Sequence, residues 1–128
     1  MTWSFKAEMP IYTQLVDQIK RAIAAGAMAP GQRMASVRDL ALEAGVNPNT
    51  VQRAFQQLEH EGLVYAQRGN GRYVTEDVTV IGEVRKALAL EQARQFRAAM
   101  EALGCSDGEI KKLLFGSEEE DNGKLSGM

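Results

Sequence analysis

The chain has 128 residues, of which 45% are apolar and 25% charged, with a formal net charge of −2. That size and mix fit one soluble globular domain, or a small domain with an appendage. No apolar run approaches the roughly 20 residues of a membrane span, the opening "MTWSFKAEMP" lacks the charged and apolar regions of a signal peptide, and the single Cys105 excludes an internal disulfide and suits a reducing cytoplasm, where the protein is expected.

Charge is unevenly spread. Residues 1–75 carry 8 Lys/Arg against 6 Asp/Glu, a net +2, whereas residues 76–128 carry 7 against 11, a net −4. The acidic excess includes "EEED" at 118–121, which reads as a solvated tail. An acidic total therefore does not exclude a nucleic-acid partner for the front of the chain, because distribution matters more than the sum.

In chain order, Ile11, Leu15, Ile19 and Ile23 recur every four residues with Val16 beside them, one face of an amphipathic helix, with Pro10 in its first turn and Gly26 as its stop. "GAMAPGQRM" is a turn-rich loop. Ser36 starts a short second helix, with Asp39 three residues on as a short-armed capping box, Val37, Leu40 and Ala41 facing inward, and Gly45 at its end. A third helix follows at once. Asn47 is its N-cap and Pro48 its first residue, where the missing N–H costs nothing. Val51, Ala54, Phe55 and Leu58 form its buried stripe, and Gly62 ends it. "LVYAQ" and "RYVT" are short strands, alternating through Leu63, Tyr65, Tyr73 and Thr75, and "RGNG" at 68–71 is a hairpin tip whose Gly and Asn supply positive φ. From about Thr79 the pattern is helical again, with Ile81, Val84, Leu88, Phe96, Met100 and Leu103 near one face. "GCSDGE" breaks that helix, Ser106 and Glu109 form a capping box, and Ile110, Leu113, Leu114 and Phe115 follow.

Helix, short helix, glycine turn, helix and hairpin make a helix-turn-helix followed by a wing. A recognition helix enters the major groove N-terminus first. Asn and Gln can pair bidentately with adenine, Arg with guanine, and Thr can offer a hydroxyl or a methyl. Asn47, Asn49, Thr50, Gln52 and Arg53 supply those groups, and no acid interrupts residues 47–53. Ser36 and Arg38, at the head of the second helix, are expected on backbone phosphates. Arg68 and Arg72 flank the wing glycines Gly69 and Gly71, which allow close backbone approach to a groove. Asn47 and Pro48 also suit any helix start, and Gly71 also suits any turn.

The segment "PIYTQLVDQIKRAIAAGAMAPGQRMASVRDLALEAGVNPNTVQRAFQQLEHEGLVYAQRGNGRYV", Pro10 to Val74, resembles the DNA-binding domain of GntR-type bacterial regulators. It carries, in order, P-G before helix two, S-x-R-x-L-A, G-V-x-x-x-T-V, L-E-x-x-G-L and R-G-x-G-x-Y-V. The "NPNTV" form and the short C-terminal part resemble the YtrA-like branch. The resemblance implies DNA contacts at Arg38, Asn47, Asn49, Thr50 and Gln52 and at wing Gly69 and Gly71. Where many relatives carry Arg, this chain has Pro48 and Gln52, with Arg53 one position on. The resemblance also implies a repressor acting on a two-fold operator as a homodimer joined by its helical extension, and control of its own operon, with transporter genes.

The expected organisation is a mainly α chain with a β-hairpin wing: a winged helix-turn-helix over 1–77 (residues 1–9 an N-terminal arm), a helical dimerisation extension over 78–116, and an acidic, flexible tail over 117–128. Ile81, Val84, Leu88, Phe96, Met100, Leu103 and Leu114 are the expected dimer joint. His60 lacks the Cys/His company of a metal site, Met28, Met34 and Met100 read as core filling, and no nucleophile triad, phosphate loop or paired carboxylates appear, so neither enzyme activity, metal nor cofactor is expected. The sequence names no small-molecule effector. Competing functions are a winged-helix module that docks on a protein without DNA, and a small-molecule sensor whose DNA binding is secondary.

Overall fold

The computed structural model describes residues 1–116, so the acidic tail at 117–128 lies outside the described residues. Over that span the order is α1 (Ile11–Ala25), α2 (Val37–Ala44), α3 (Pro48–His60), β1 (Val64–Gln67), β2 (Gly71–Val74), α4 (Val78–Ala102) and α5 (Asp107–Phe115). The described residues divide into two compact units, Met1–Leu88 and a second from Ala89 onward.

The core of the first unit follows from helical spacing. Leu15, Val16, Ile19 and Ile23 of α1 meet Val51, Ala54, Phe55 and Leu58 of α3, with Leu40 and Ala41 of α2 closing one side. Phe55, Leu15, Ile19 and Leu58 are wholly inaccessible to water. Pro10 sits one place earlier than expected, as the N-cap of α1, and Gly26, in the left-handed conformation at φ 84°, ends that helix. Ser36 Oγ accepts the N–H of Asp39 at 3.0 Å. The arm at 1–9, given no packing role by its sequence, is tied down. Gln14 exchanges 2.7 Å hydrogen bonds with both the N–H and the carbonyl of Lys6, and Trp3 and Phe5 pack against the core.

The hairpin is antiparallel, with Val64 opposite Val74, Tyr65 opposite Tyr73 and Ala66 opposite Arg72. Its faces differ from the expected alternation. Leu63, Val64, Val74 and Thr75 are all buried, while Tyr65 and Tyr73 stack on the outer face with centroids 5.7 Å apart. Asn70 does not take positive φ; Gly69 and Gly71 do, at 81° and 85°. A third segment joins the sheet. The Met34 N–H donates to the Arg72 carbonyl and the Val74 N–H to that of Gln32, each at 2.8 Å, and Arg33 bridges Tyr73.

The first turns of α4 belong to this unit. Ile81, expected in a dimer joint, is 4% exposed in the core, with Val80 and Val84 packed beside it. Arg85 fixes the same stretch by donating to the Ala24 carbonyl at 2.8 Å. The reason is elementary: the pattern that makes a stripe on α4 serves equally to cap the winged core, and sequence periodicity cannot tell the two apart.

In the second unit α5 opens with the expected reciprocal capping box of Ser106 and Glu109. Arg97 ties the turn, donating to Glu101 at 3.0 Å and Asp107 at 2.7 Å. Ile110 is buried, but Leu90, Phe96, Leu113, Leu114 and Phe115 are exposed. Leu103, expected on the helix stripe, lies in the turn after α4 and is 78% exposed.

Candidate nucleic-acid interface

The turn between α2 and α3 sets the site. Gly45 takes φ 69°, and the Val46 N–H returns to the Ala41 carbonyl at 3.0 Å, closing α2. Asn47 then caps α3, its Oδ1 accepting the Asn49 N–H at 2.8 Å, with Pro48 next. The side-chain oxygen of Asn47 is thus engaged in the cap, and its amide NH2 is the group left to donate to a partner. Asn49 and Arg53 are exposed, and Thr50 and Gln52 half-buried beside them.

The structure brings Asn49, Thr50 and Arg53 together with Pro10, Ile11 and Tyr12 around a shallow cleft of about 400 Å³. The Arg53 guanidinium lies 3.7 Å from the centroid of the Tyr12 ring, so a cation–π contact steers it toward the start of α1. Tyr12 was not singled out in the sequence. The signal was its place at the head of α1, but nothing short of the α1–α3 packing pairs it with Arg53.

Ser36, Gly71 and Arg72 meet around a second cleft of about 390 Å³ between the wing and the start of α2, with Arg33 and Asp39 also in its wall. Arg38 is exposed one residue inside α2, and Arg68 and Gly69 are exposed at the wing tip. Arg72 is engaged otherwise than its sequence position suggests. Its Nε pairs with Glu59 Oε1 at 2.5 Å, and its guanidinium sits 4.9 Å from the centroid of the Phe55 ring. The register puts Arg72 on the face of buried Val74, so its charge is neutralised between the wing and α3.

Among the described residues, Lys20, Arg21 and Arg72 each have a carboxylate partner within the first unit, whereas Arg33, Arg38, Arg53 and Arg68 have none. Lys6 on the arm and Arg85 and Lys86 on α4 also have none, but Arg38 and Arg53 are the ones carried by the helix-turn-helix itself and Arg68 the one at the wing tip. On the far side, Lys20 and Glu61 join α1 to the end of α3 at 2.6 Å. Burial raises the Glu61 carboxyl, but hydrogen bonds from Lys20 and Gln57 and the charges of Lys20 and His60 outweigh it and hold it below its ordinary value. Among the described residues no group of three His, Cys, Asp or Glu could hold a metal ion, and no helix is long and apolar enough to cross a membrane.

A helix-turn-helix with a hairpin wing, acid-free and amide-rich at the leading turns of its third helix, has the form of a winged-helix DNA-binding domain. Residues 11–74 match the family of bacterial regulatory proteins of the gntR type. The chain belongs to this GntR family, whose members are DNA-binding transcription regulators rather than enzymes. It is 38% identical over 91 residues to the transcriptional repressor YtrA of Bacillus subtilis (strain 168), covering 70% of each chain. It is 34% identical over 106 residues to the transcriptional regulator YhcF of the same organism, covering 83% of this chain and 88% of YhcF. A GntR-family regulator from Listeria monocytogenes superposes with a TM-score of 0.80 at 35% identity, over 89% of this chain and 100% of that one.

Proposed function

We propose that the protein is a sequence-specific repressor that binds a two-fold operator in the cytoplasm as a homodimer and controls its own operon, with transporter genes. The observation that carries the reading is the acid-free leading face of α3, with Asn49, Thr50 and Arg53 together at one cleft, and with Arg38, Arg53 and Arg68 all without a carboxylate partner among the described residues. Asn49, Thr50, Gln52 and Arg53 read base edges, Asn47 offers its amide at the helix start, and Ser36, Arg38, Arg68, Gly69 and Gly71 hold backbone. Arg72 serves by stiffening the wing against α3.

Dimerisation follows from what one winged helix lacks. A single recognition helix makes few contacts, whereas two related by a two-fold axis reach successive major grooves about 34 Å apart. The joint uses Leu88, at the end of the first unit, with Phe96, Met100, Leu103 and Leu114, apolar side chains for which the second unit has little core of its own; Ile81 and Val84 serve the winged core instead. The test pairs a gel shift on DNA from upstream of the protein's own gene with sedimentation of the free chain. A shifted two-fold site and a dimer mass are expected. A chain that binds no duplex yet captures a protein partner would replace this reading with that of a winged-helix interaction module.

A further inference from the structure

We propose that Arg33, on the segment that bridges β2, is a further phosphate-binding cation of the wing beside Arg68, and that the cleft between the wing and the start of α2 seats a DNA backbone phosphate against it. This rests on the DNA-binding reading above and adds a residue to it. The wing sheet has two faces. Arg72 lies on the inner one, facing Phe55, with its charge met by Glu59. Arg33 bridges Tyr73, and side chains directly opposite across a bridge share a face. It therefore emerges on the outer face with Tyr73 and Gly71.

The position of its charge is defined. A Cβ placed on Gly71 would lie 3.5 Å from both Nε and Nη2 of Arg33, so the guanidinium spreads over the bare glycine backbone at the edge of the cleft. Arg33 has no carboxylate within ion-pair distance among the described residues. The opposite wall of the cleft is the start of α2, with Ser36 and Val37. Asp39 also lines it, and its charge opposes the anion that Arg33 attracts. A planar guanidinium at the edge of a cleft is suited to two phosphate oxygens at once.

The experiment uses the full chain and the duplex it enriches from a random-sequence pool, with affinity followed by fluorescence anisotropy over a salt series. Each phosphate contact contributes a slope of about 0.9 to the salt dependence. Arg33→Ala should lower the slope by about one unit, weaken all sequences alike and leave the melting temperature unchanged. Arg33→Lys should restore most of the slope. Arg72→Ala should keep the slope and lower the melting temperature. An unchanged slope in Arg33→Ala, or a slope lost in Arg72→Ala instead, overturns the assignment while leaving the DNA-binding reading intact. A wild-type chain that enriches no duplex overturns both.

Discussion

The two compact units spend similar apolar side chains in opposite ways. In the first, Phe55, Leu15, Ile19 and Leu58 are sealed from water by three helices and a hairpin. In the second, among the described residues, only Ile110 is buried, while Phe96 is 38% and Leu114 56% exposed. The first unit has therefore collected its hydrophobic stabilisation within one chain. The second presents apolar surface of the kind that marks an interaction site. Substitutions in the first should change folding, and those in the second association.

The largest effect is expected at Phe55. Phe55→Ala empties the centre of the core and removes the ring beneath Arg72, and should cost about 3–5 kcal/mol in denaturant unfolding. A cost under about 1 kcal/mol would show that the first unit does not depend on that core. Phe96→Glu and Leu114→Glu should leave the unfolding of each chain nearly unchanged, because both side chains are already exposed. They should weaken the proposed dimer by about 2–4 kcal/mol through a carboxylate forced into an apolar joint, read by sedimentation equilibrium. Ile81→Ala should do the reverse, lowering stability without dissociating the dimer; dissociation would return Ile81 to the interface. Smaller again are the base readers. Asn49→Ala or Gln52→Ala should cost about 1–3 kcal/mol and relax preference at one position per half-site, with the salt slope unchanged. Full specificity in both variants would move base reading off this face.

Much of the first unit was legible because its signals are local. The spacing of Leu15, Ile19 and Ile23 gives α1, Ser36 and Asn47 mark two helix starts, and Gly26 and Gly45 mark two ends. What stayed hidden depends on pairings distant in sequence. The register places Arg72 beside Val74 on the core face, a parity the alternation already contained, but Glu59 as its partner comes only from the packing of α3 on the wing. Arg33 lies in a segment that reads as loop, because it gains its strand character from β2 and not from its own residues. Tyr12 joins Arg53 only through the α1–α3 contact. Ile81 shows the converse failure: a correct helical stripe whose occupant, own core or second chain, periodicity does not specify.

The smallest expected effect lies where α1 meets the end of α3, away from the proposed interface. Lys20 and Glu61 are 2.6 Å apart, and Gln57 donates to the same carboxylate at 2.9 Å. The Glu61 carboxyl is held below its ordinary value in the folded chain despite the opposing effect of burial. A carboxyl depressed in this way binds its proton less readily folded than unfolded. Its contribution to stability is therefore complete above the unfolded carboxylate value of about 4.3 and is lost as pH falls through the lower folded value. The pair is partly solvated, so water and salt screen it, and its worth is about 1 kcal/mol or less. Glu61→Gln should accordingly be slightly less stable than wild type at neutral pH. The two should converge as pH drops below the carboxylate range, and operator affinity should be unaffected throughout. Thermal unfolding at a series of pH values measures the difference. A gap that widens in acid would mean that desolvation, and not Lys20, governs Glu61.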